Sequence, residues 1–543
     1  MLKRVTALLL VMIFAFTLAA CGEDKGNTSS GATNNTSDVA SVDSTGDNTA
    51  STGDASKDTK STGSKATKSG TQTTASKGTT VNANSRVVTS KGGTTTQTSG
   101  KGNQSGKKNI KSVAGWISVK SGKSQTSGLN LKGKTIKMAI TEEGQYNTAS
   151  FKRTIAAFEK EYNCKVKLTT LKFSTYNQQV TQALSAGNMY DICYAHGSMF
   201  PACAIDNLYE DVLPTLRQDD LMDGNNPLAG GIDIAKSGYF AYKGKLYGTC
   251  NFESVFPYVI YYNKKQMADA GYSGSKDPRK LAENNKWSWS VIKSMGRRLT
   301  DLDSGVYFVS NSFTGRCVTL AYGSAIVKAE TNNKTKSVKY TQNITSAQFI
   351  AGCKQIQEFF TGNTRIGEPR DGSHPYNSSE TLRKGTVYMW TEETSKYLDL
   401  AKEVKSSAAF NRDKNNIGIV EVPLGSTNKS KIYPTGWLTA VCCGKGKDPR
   451  VSIAWDTFRS RYQDPVQDSN AMSKADKEYA AELLKGDICC EPGQFQTSEN
   501  DVLALVNSQV WYRIVNGDDV SKCITQTKDQ ITTCINTTMK GAQ

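Results

Sequence analysis

Histidine is nearly missing from this chain: His196 and His374 are the only two among 543 residues. No Cys-x-x-Cys spacing accompanies them, so a structural zinc set cannot be assembled from the usual four ligands. No dinucleotide fingerprint and no serine or cysteine nucleophile signature is present in the part expected to fold. GKGNQSGKK (Gly100 to Lys108) approaches a phosphate-binding loop, but its spacing is wrong and no Ser or Thr follows Gly-Lys. No strand leads into it either, and its lysines read as solvation of a linker. Neither a metal nor any cofactor is therefore expected. Large apolar side chains are scarce from Gly22 to about Asn109, where Ser, Thr, Gly, Asn, Asp and Lys dominate. Such a segment cannot bury enough surface to offset the entropy of ordering, so it is expected to be a disordered tether. The formal net charge is +17. Much of it lies in the leader and tether, where Gly22 to Asn130 holds 14 Lys/Arg against 7 Asp/Glu. The remainder is spread over a long chain without a basic aromatic stripe, which excludes a nucleic-acid partner.

One long apolar run is present, Val5 to Ala20, preceded by Lys3 and Arg4 and followed by Cys21. Its core is short for a membrane-spanning helix and reads as a secretory signal. Leu18-Ala19-Ala20-Cys21 resembles the bacterial lipobox, which implies a signal peptide over 1–20, lipidation of Cys21 and a lipidated tether over 21–130. The tether, roughly ninety residues long, would have a reach on the order of 50 Å from the membrane. An even number of cysteines, 12, remains after Cys21. On an exported chain that number permits disulfides, while buried free thiols behaving as small hydrophobes are the alternative. Connectivity is not assignable from the spacing.

From Leu131 onward the chain is long enough for two substantial cores. KTIKMAIT (Lys134 to Thr141) alternates as a strand, Phe151, Ile155, Phe158 and Tyr162 recur at helical spacing, and CKVKLTTL (Cys164 to Leu171) alternates again. Tyr176, Val180 and Leu184 mark a second helix ending at Gly187, and YDICYA (Tyr190 to Ala195) is a short buried strand. Strand, helix, strand, helix, strand predicts a doubly wound α/β unit with its crevice at the strand C-terminal ends. In WSWSVIKSMGRRLT (Trp287 to Thr300), Ser288 is a credible N-cap, and Ile292, Met295 and Leu299 form an apolar face. YVIYYNKKQMADAG (Tyr258 to Gly271) reads as a strand crossing between lobes, broken at Asn263-Lys264-Lys265, then a helix ended by Gly271.

These pieces together resemble a family 1 bacterial extracellular solute-binding protein, the lipoprotein component of an ABC importer, similar in layout to maltose and oligosaccharide binders. The resemblance is carried by the strand-loop-helix opening, MYDICYA (Met189 to Ala195), Leu208 to Asp211, KGKLYGT (Lys243 to Thr249) and YYNKKQMADAG. It continues through WSWSVIKSMGRRLT, KGTVYMW (Lys384 to Trp390), and IGIVEVPLG to PTGWLTAV (Ile417 to Val441). It implies a bilobed α/β periplasmic-binding-protein fold, type II-like: two doubly wound lobes, a hinge, and a ligand cleft between them. The expected first lobe is 131–260 with about 415–465, and the second is 261–414 with about 466–543. The implied partners are a small-molecule carbohydrate, ABC permease subunits and the membrane through Cys21. The protein is expected as a monomer on the extracellular face of a bacterial, Gram-positive cell membrane.

A sugar offers hydroxyls in fixed directions and an apolar C–H face, so its site combines flat rings with polar side chains whose loss of a partner would be costly. Candidates on the first lobe are Glu143, Gln145 and Tyr146 after the first strand, then Tyr194, His196 and Ser198 after the third. Glu253 and Phe256 follow KLYGT near the hinge. On the second lobe, Trp390 and Glu392 follow the VYM strand, and Trp511 with Tyr512 lies near the C-terminus. Each has a bland alternative: His196 as a polar rim residue satisfied by water, and Trp511 as core, since Val510, Trp511 and Ile514 would also make a helix core face. Glu142-Glu143, Glu253 and Glu392-Glu393 contain the carboxylates a glycoside hydrolase needs, yet adjacency sets no distance across a bond. No enzyme is expected. A ligand-sensing or wall-polymer-binding lipoprotein is the alternative to import.

Overall fold

The computed structural model describes residues 119–540, apart from 143–145, 147, 222–239, 251–254, 333, 371–378, 430–432, 437, 463, 467 and 485–487. Two four-stranded sheets organise this region. Their strands are β1 (Thr135–Thr141), β2 (Lys165–Leu171), β3 (Ile192–His196), β4 (Tyr258–Asn263), β5 (Tyr307–Val309), β6 (Val387–Glu393), β7 (Ile417–Glu421) and β8 (Thr439–Cys442).

The first sheet runs β8-β3-β1-β2. β1 pairs in parallel with β2 and β3, and β8 returns antiparallel on β3. This is the expected doubly wound start, and its local causes are visible. The helix Ala149–Tyr162 opens on Thr148, whose Oγ1 accepts the Phe151 N–H at 3.0 Å, and closes on Asn163 in the left-handed region. Its buried face of Phe151, Ile155 and Phe158 meets Trp455 of the helix Pro449–Arg461, edge-on at 5.9 Å from Phe151 and 5.2 Å from Phe158. Tyr176, Val180 and Leu184 are buried along the helix Tyr176–Ser185. Fully burying side chains of this size is worth roughly 2–3 kcal/mol each, so this layer holds the first lobe together.

The second sheet runs β7-β4-β6-β5, with β4 antiparallel to both neighbours and β5 parallel to β6. Every residue of β4 is buried. β4 is therefore an interior strand of the second sheet, not the lobe-crossing strand expected from its sequence. An unbroken β-branched and aromatic run calls for cover on both faces, which a solvent-flanked crossing would not supply. After it, Asn263 accepts the Lys265 and Gln266 N–H groups and caps the helix Lys264–Asp269, with Met267 buried. The helix Trp289–Leu299 opens as expected on Ser288, burying Trp289, Ile292 and Met295. Residues 417–421, expected with the first lobe, form β7 on the second sheet instead, because their backbone pairs with β4.

The crossings lie on either side of these strands. Thr249 bridges Val441 beside the first sheet, Pro257 bridges Thr435 beside the second, and the Gly436 N–H donates to the Phe256 carbonyl at 3.0 Å. A further segment runs alongside, with Tyr433–Pro434 parallel to Ile488–Cys489. Twelve cysteines from Cys164 to Cys534 are free thiols, and all but half-buried Cys489 are buried. They serve as small core residues. No helix among the described residues is long and apolar enough to cross a membrane.

Candidate functional site

Strand C-terminal ends of both sheets, with the crossing segments between them, define the candidate site. On the first lobe β3 ends at His196, and the turn Gly197–Met199 follows. His196 Nδ1 lies 2.7 Å from the Ser198 hydroxyl and accepts the Ser198 backbone N–H at 3.4 Å, while Asn177 Nδ2 donates to Ser198 Oγ at 2.5 Å. With Nδ1 accepting, the neutral ring carries its proton on Nε2. Burial first, then the charge of Arg316, pushes this imidazole down to about 3, so it stays neutral at physiological pH. Tyr146, also expected on this rim, is packed against Phe151 at 5.4 Å and Tyr194 at 4.6 Å.

Arg316 belongs to the second lobe, at the start of the helix Arg316–Ala321 that follows β5 and the turn Asn311–Thr314. Its influence on His196 marks where the two rims approach. Arg316 Nε donates to the Tyr258 hydroxyl at 2.9 Å, and Nη2 lies 3.5 Å from Glu393 Oε1. Glu393 ends β6, and its carboxyl is pushed up to about 7 by burial and then by Glu392, against the pull of Arg316 and Lys396. Glu491, on the crossing beside Cys489–Cys490, is likewise pushed up to about 7 by burial, although it accepts the Ile326 N–H at 2.8 Å. A guanidinium, a neutral imidazole, buried carboxyls and phenols thus converge from positions far apart in the chain. Such a set can hydrogen-bond both donors and acceptors of a polar ligand.

Of the twelve candidate contacts, His196 and Ser198 stand together on the first rim, Tyr146 is half-buried against the first-lobe core, and Phe256 lies half-buried on the crossing. Glu392 is 7 % exposed, beside Glu393 at the second rim, and its Oε1 accepts the Glu393 N–H at 3.0 Å. Tyr512 is 42 % exposed, with the Arg370 guanidinium 5.7 Å from its ring. Arg370 in turn donates to Thr314 Oγ1 at 3.2 Å, which ties this ring to the strand-end turn preceding Arg316. Glu143, Gln145 and Glu253, with the lipidation position Cys21, lie outside the described residues.

Three expected contacts are core residues instead. Tyr194 is 2 % exposed, and its hydroxyl accepts from Trp455 Nε1 at 2.7 Å and Arg459 Nη1 at 2.9 Å, under the first sheet. Trp390 is packed on Tyr261 with ring centres 5.1 Å apart, in the cluster with Tyr397 and Leu400, and its indole N–H meets no acceptor among the described residues. A sheet covered on both faces draws a strand aromatic into one of its helix layers, and Trp390 is held in the one with Tyr397 and Leu400. Trp511 is 1 % exposed and stacks on Phe349 at 6.4 Å. It lies in a π-helical turn, Asn507–Trp511, which directs Trp511 inward and leaves Tyr512 outside. Arg316, Tyr258 and Asn177 were not among the expected contacts. The usable signal for Arg316 was Gly315-Arg316 opening a helix just after a strand. A cavity of about 360 Å³ lined by Glu380, Arg383, Lys384 and Ser406 to Ala409 is elsewhere, on the Trp390 side of the second lobe.

Residues 143–352 match the family model of the bacterial extracellular solute-binding proteins. No curated protein matches the chain. Among solved structures, an ABC substrate-binding protein from Listeria monocytogenes in complex with cycloalternan is similar at TM-score 0.52 and 17 % identity, over 75 % of this chain and 100 % of that one. An extracellular solute-binding protein from Staphylococcus aureus in complex with maltose follows at 0.51 and 14 %, over 75 % and 98 %. The galacto-N-biose/lacto-N-biose I-binding protein of the ABC transporter from Bifidobacterium longum, with lacto-N-biose, gives 0.50 and 14 %, over 75 % and 97 %. At these identities the likeness establishes the fold alone, the bilobed α/β architecture of those solute-binding proteins.

Proposed function

We propose that this chain, a solute-binding protein in fold and in the sequence pattern of residues 143–352, captures a carbohydrate between its lobes and delivers it to an ABC permease. An oligosaccharide is the ligand class that suits the site. The observation that carries this reading is that the His196-Ser198 pair of the first lobe feels the charge of Arg316, which on the second lobe joins Tyr258 and Glu393. Fixed donors and acceptors of this kind distinguish hydroxyl directions, because a mismatched ligand leaves buried polar groups unpaired. Tyr146, Tyr512 and Phe256 are the rings proposed for a sugar's apolar face. Glu143, Gln145 and Glu253, outside the described residues, stay in the proposed set on their sequence positions alone.

Export, lipidation at Cys21, a monomeric state and display on the outer face of a Gram-positive membrane belong to the same proposal, supported by the leader and its cysteine. Ligand favours the closed arrangement only by contacts it gains with the second lobe. The test is calorimetry of the full chain with maltose, cycloalternan and lacto-N-biose, with the sugars recovered afterwards. Saturable binding of intact sugar is expected for at least one. Failure of all three to bind, or the appearance of new reducing ends, overturns the reading.

A further inference from the structure

The junction holds one carboxyl whose position is conspicuous. Glu393 ends β6 with its side chain 17 % exposed, and it lies directly against Gly436 of the crossing segment: a Cβ at Gly436 would overlap the Glu393 carboxyl. Gly436 is itself tied to the neighbouring crossing, its N–H donating to the Phe256 carbonyl at 3.0 Å. The groups around Glu393 come from every neighbouring element. Arg316 reaches it at 3.5 Å from the helix that follows β5, and Glu392 precedes it on β6. Tyr258 and Tyr261 approach from β4, the Tyr261 hydroxyl donating to the Glu393 carbonyl at 2.9 Å. Ser395 Oγ, 3.4 Å from Oε2, and Lys396 follow in the next turn. Arg316 also feels Glu491 from the other crossing and faces neutral His196 of the first lobe.

We propose that Glu393 is a proton-operated latch between the lobes: its neutral carboxyl seats on Gly436 while the lobes rest together, and its ionisation favours the parted arrangement in which water reaches it. The inference rests on the proposed hinge movement but not on the identity of the ligand.

The direction follows from linkage. Seated, the carboxyl is pushed up to about 7 by burial and Glu392; hydrated, it returns toward its ordinary value of 4.5. The proton therefore binds more tightly to the joined arrangement, whose advantage is full below 4.5 and is lost as pH climbs to about 7. Between pH 6 and 8 the joined-to-parted ratio should fall about tenfold, and above that it should level off.

Single-molecule energy transfer on the ligand-free full chain reads this ratio, with dyes at Lys167 on the first lobe and Lys280 on the second, both exposed. The wild type should show the tenfold fall, and Glu393→Gln should keep its pH 6 ratio at pH 8. Glu421→Gln is the control, because Glu421 is also pushed up to about 7 but sits with Tyr479 at the end of β7. It should retain the wild-type dependence. A wild-type ratio that does not change with pH overturns the latch, as does a pH response that survives Glu393→Gln or disappears in Glu421→Gln. Circular dichroism at both pH values separates lobe movement from unfolding, and the wild-type measurement decides even if the glutamine variant fails to fold. Because no sugar is present, failure of the latch and failure of carbohydrate binding are separate outcomes.

Discussion

Replacing Tyr194 by phenylalanine removes one oxygen and separates two roles that look alike in sequence. In the structure that oxygen accepts the Trp455 indole N–H at 2.7 Å and an Arg459 guanidinium N–H at 2.9 Å. Trp455 is 0 % exposed and Arg459 4 %, so neither donor can turn to bulk water. Burial pushes the Tyr194 hydroxyl up to about 12 against the charge of Arg459, which keeps it neutral and able to accept. A buried donor left without its partner costs about 1–3 kcal/mol, more when charged. Arg459 keeps its place over the rings of Phe151 and Trp455, at 5.6 Å and 6.0 Å, which limits its loss. The expected cost is thus about 2–4 kcal/mol for the first lobe. For a unit of its size that lowers the melting temperature by roughly 5–12 °C. Differential scanning calorimetry measures the shift, and titration with a bound sugar measures affinity, expected to stay within about twofold because the hydroxyl faces the helix layer. An unchanged melting temperature with binding lost would refute the argument and move Tyr194 to the cleft.

Trp390→Phe should leave stability within about 1 kcal/mol, since it discards an indole N–H that has no acceptor among the described residues, whereas Trp390→Ala should cost about 3–5 kcal/mol. Urea unfolding checks both, and equal losses would mean that the N–H is paired after all. Glu491 is 5 % exposed and pushed up from 4.5 to about 7, so the stability it lends is full below 4.5 and is lost as pH rises to about 7. Glu491→Gln should therefore remove roughly 2–3 kcal/mol from the difference in unfolding free energy between pH 5 and pH 8, and an unaltered difference would put that dependence elsewhere. Ellman titration in urea without reductant should find all twelve thiols from Cys164 to Cys534, while the native chain should react slowly because eleven of them are buried. A deficit of two or more would indicate disulfides.

The sequence alone determined the features that depend on composition and local period. Scarcity of apolar side chains from Gly22 to about Asn109 predicts a tether without a core, an expectation that lies outside the described residues. Alternation and 3.6-residue spacing place β1, β2, the helix Ala149–Tyr162 and the Ser288-capped helix where the structure has them, because both signals are written within a few turns of chain. Tertiary structure decided which side of a layer each large residue occupies. Trp390, Trp511 and Tyr194 are apolar or aromatic beside a polar strand or turn end, a pattern that suits a cleft and a core equally. Only the packed helices behind them resolve it. β4 reads as a crossing strand until β6 and β7 are found on its two edges. The junction itself has no local signature: His196, Arg316, Glu393, Gly436 and Glu491 come from separate strands and crossings well apart in the chain, and the same burial shifts the protonation of His196, Glu393 and Glu491.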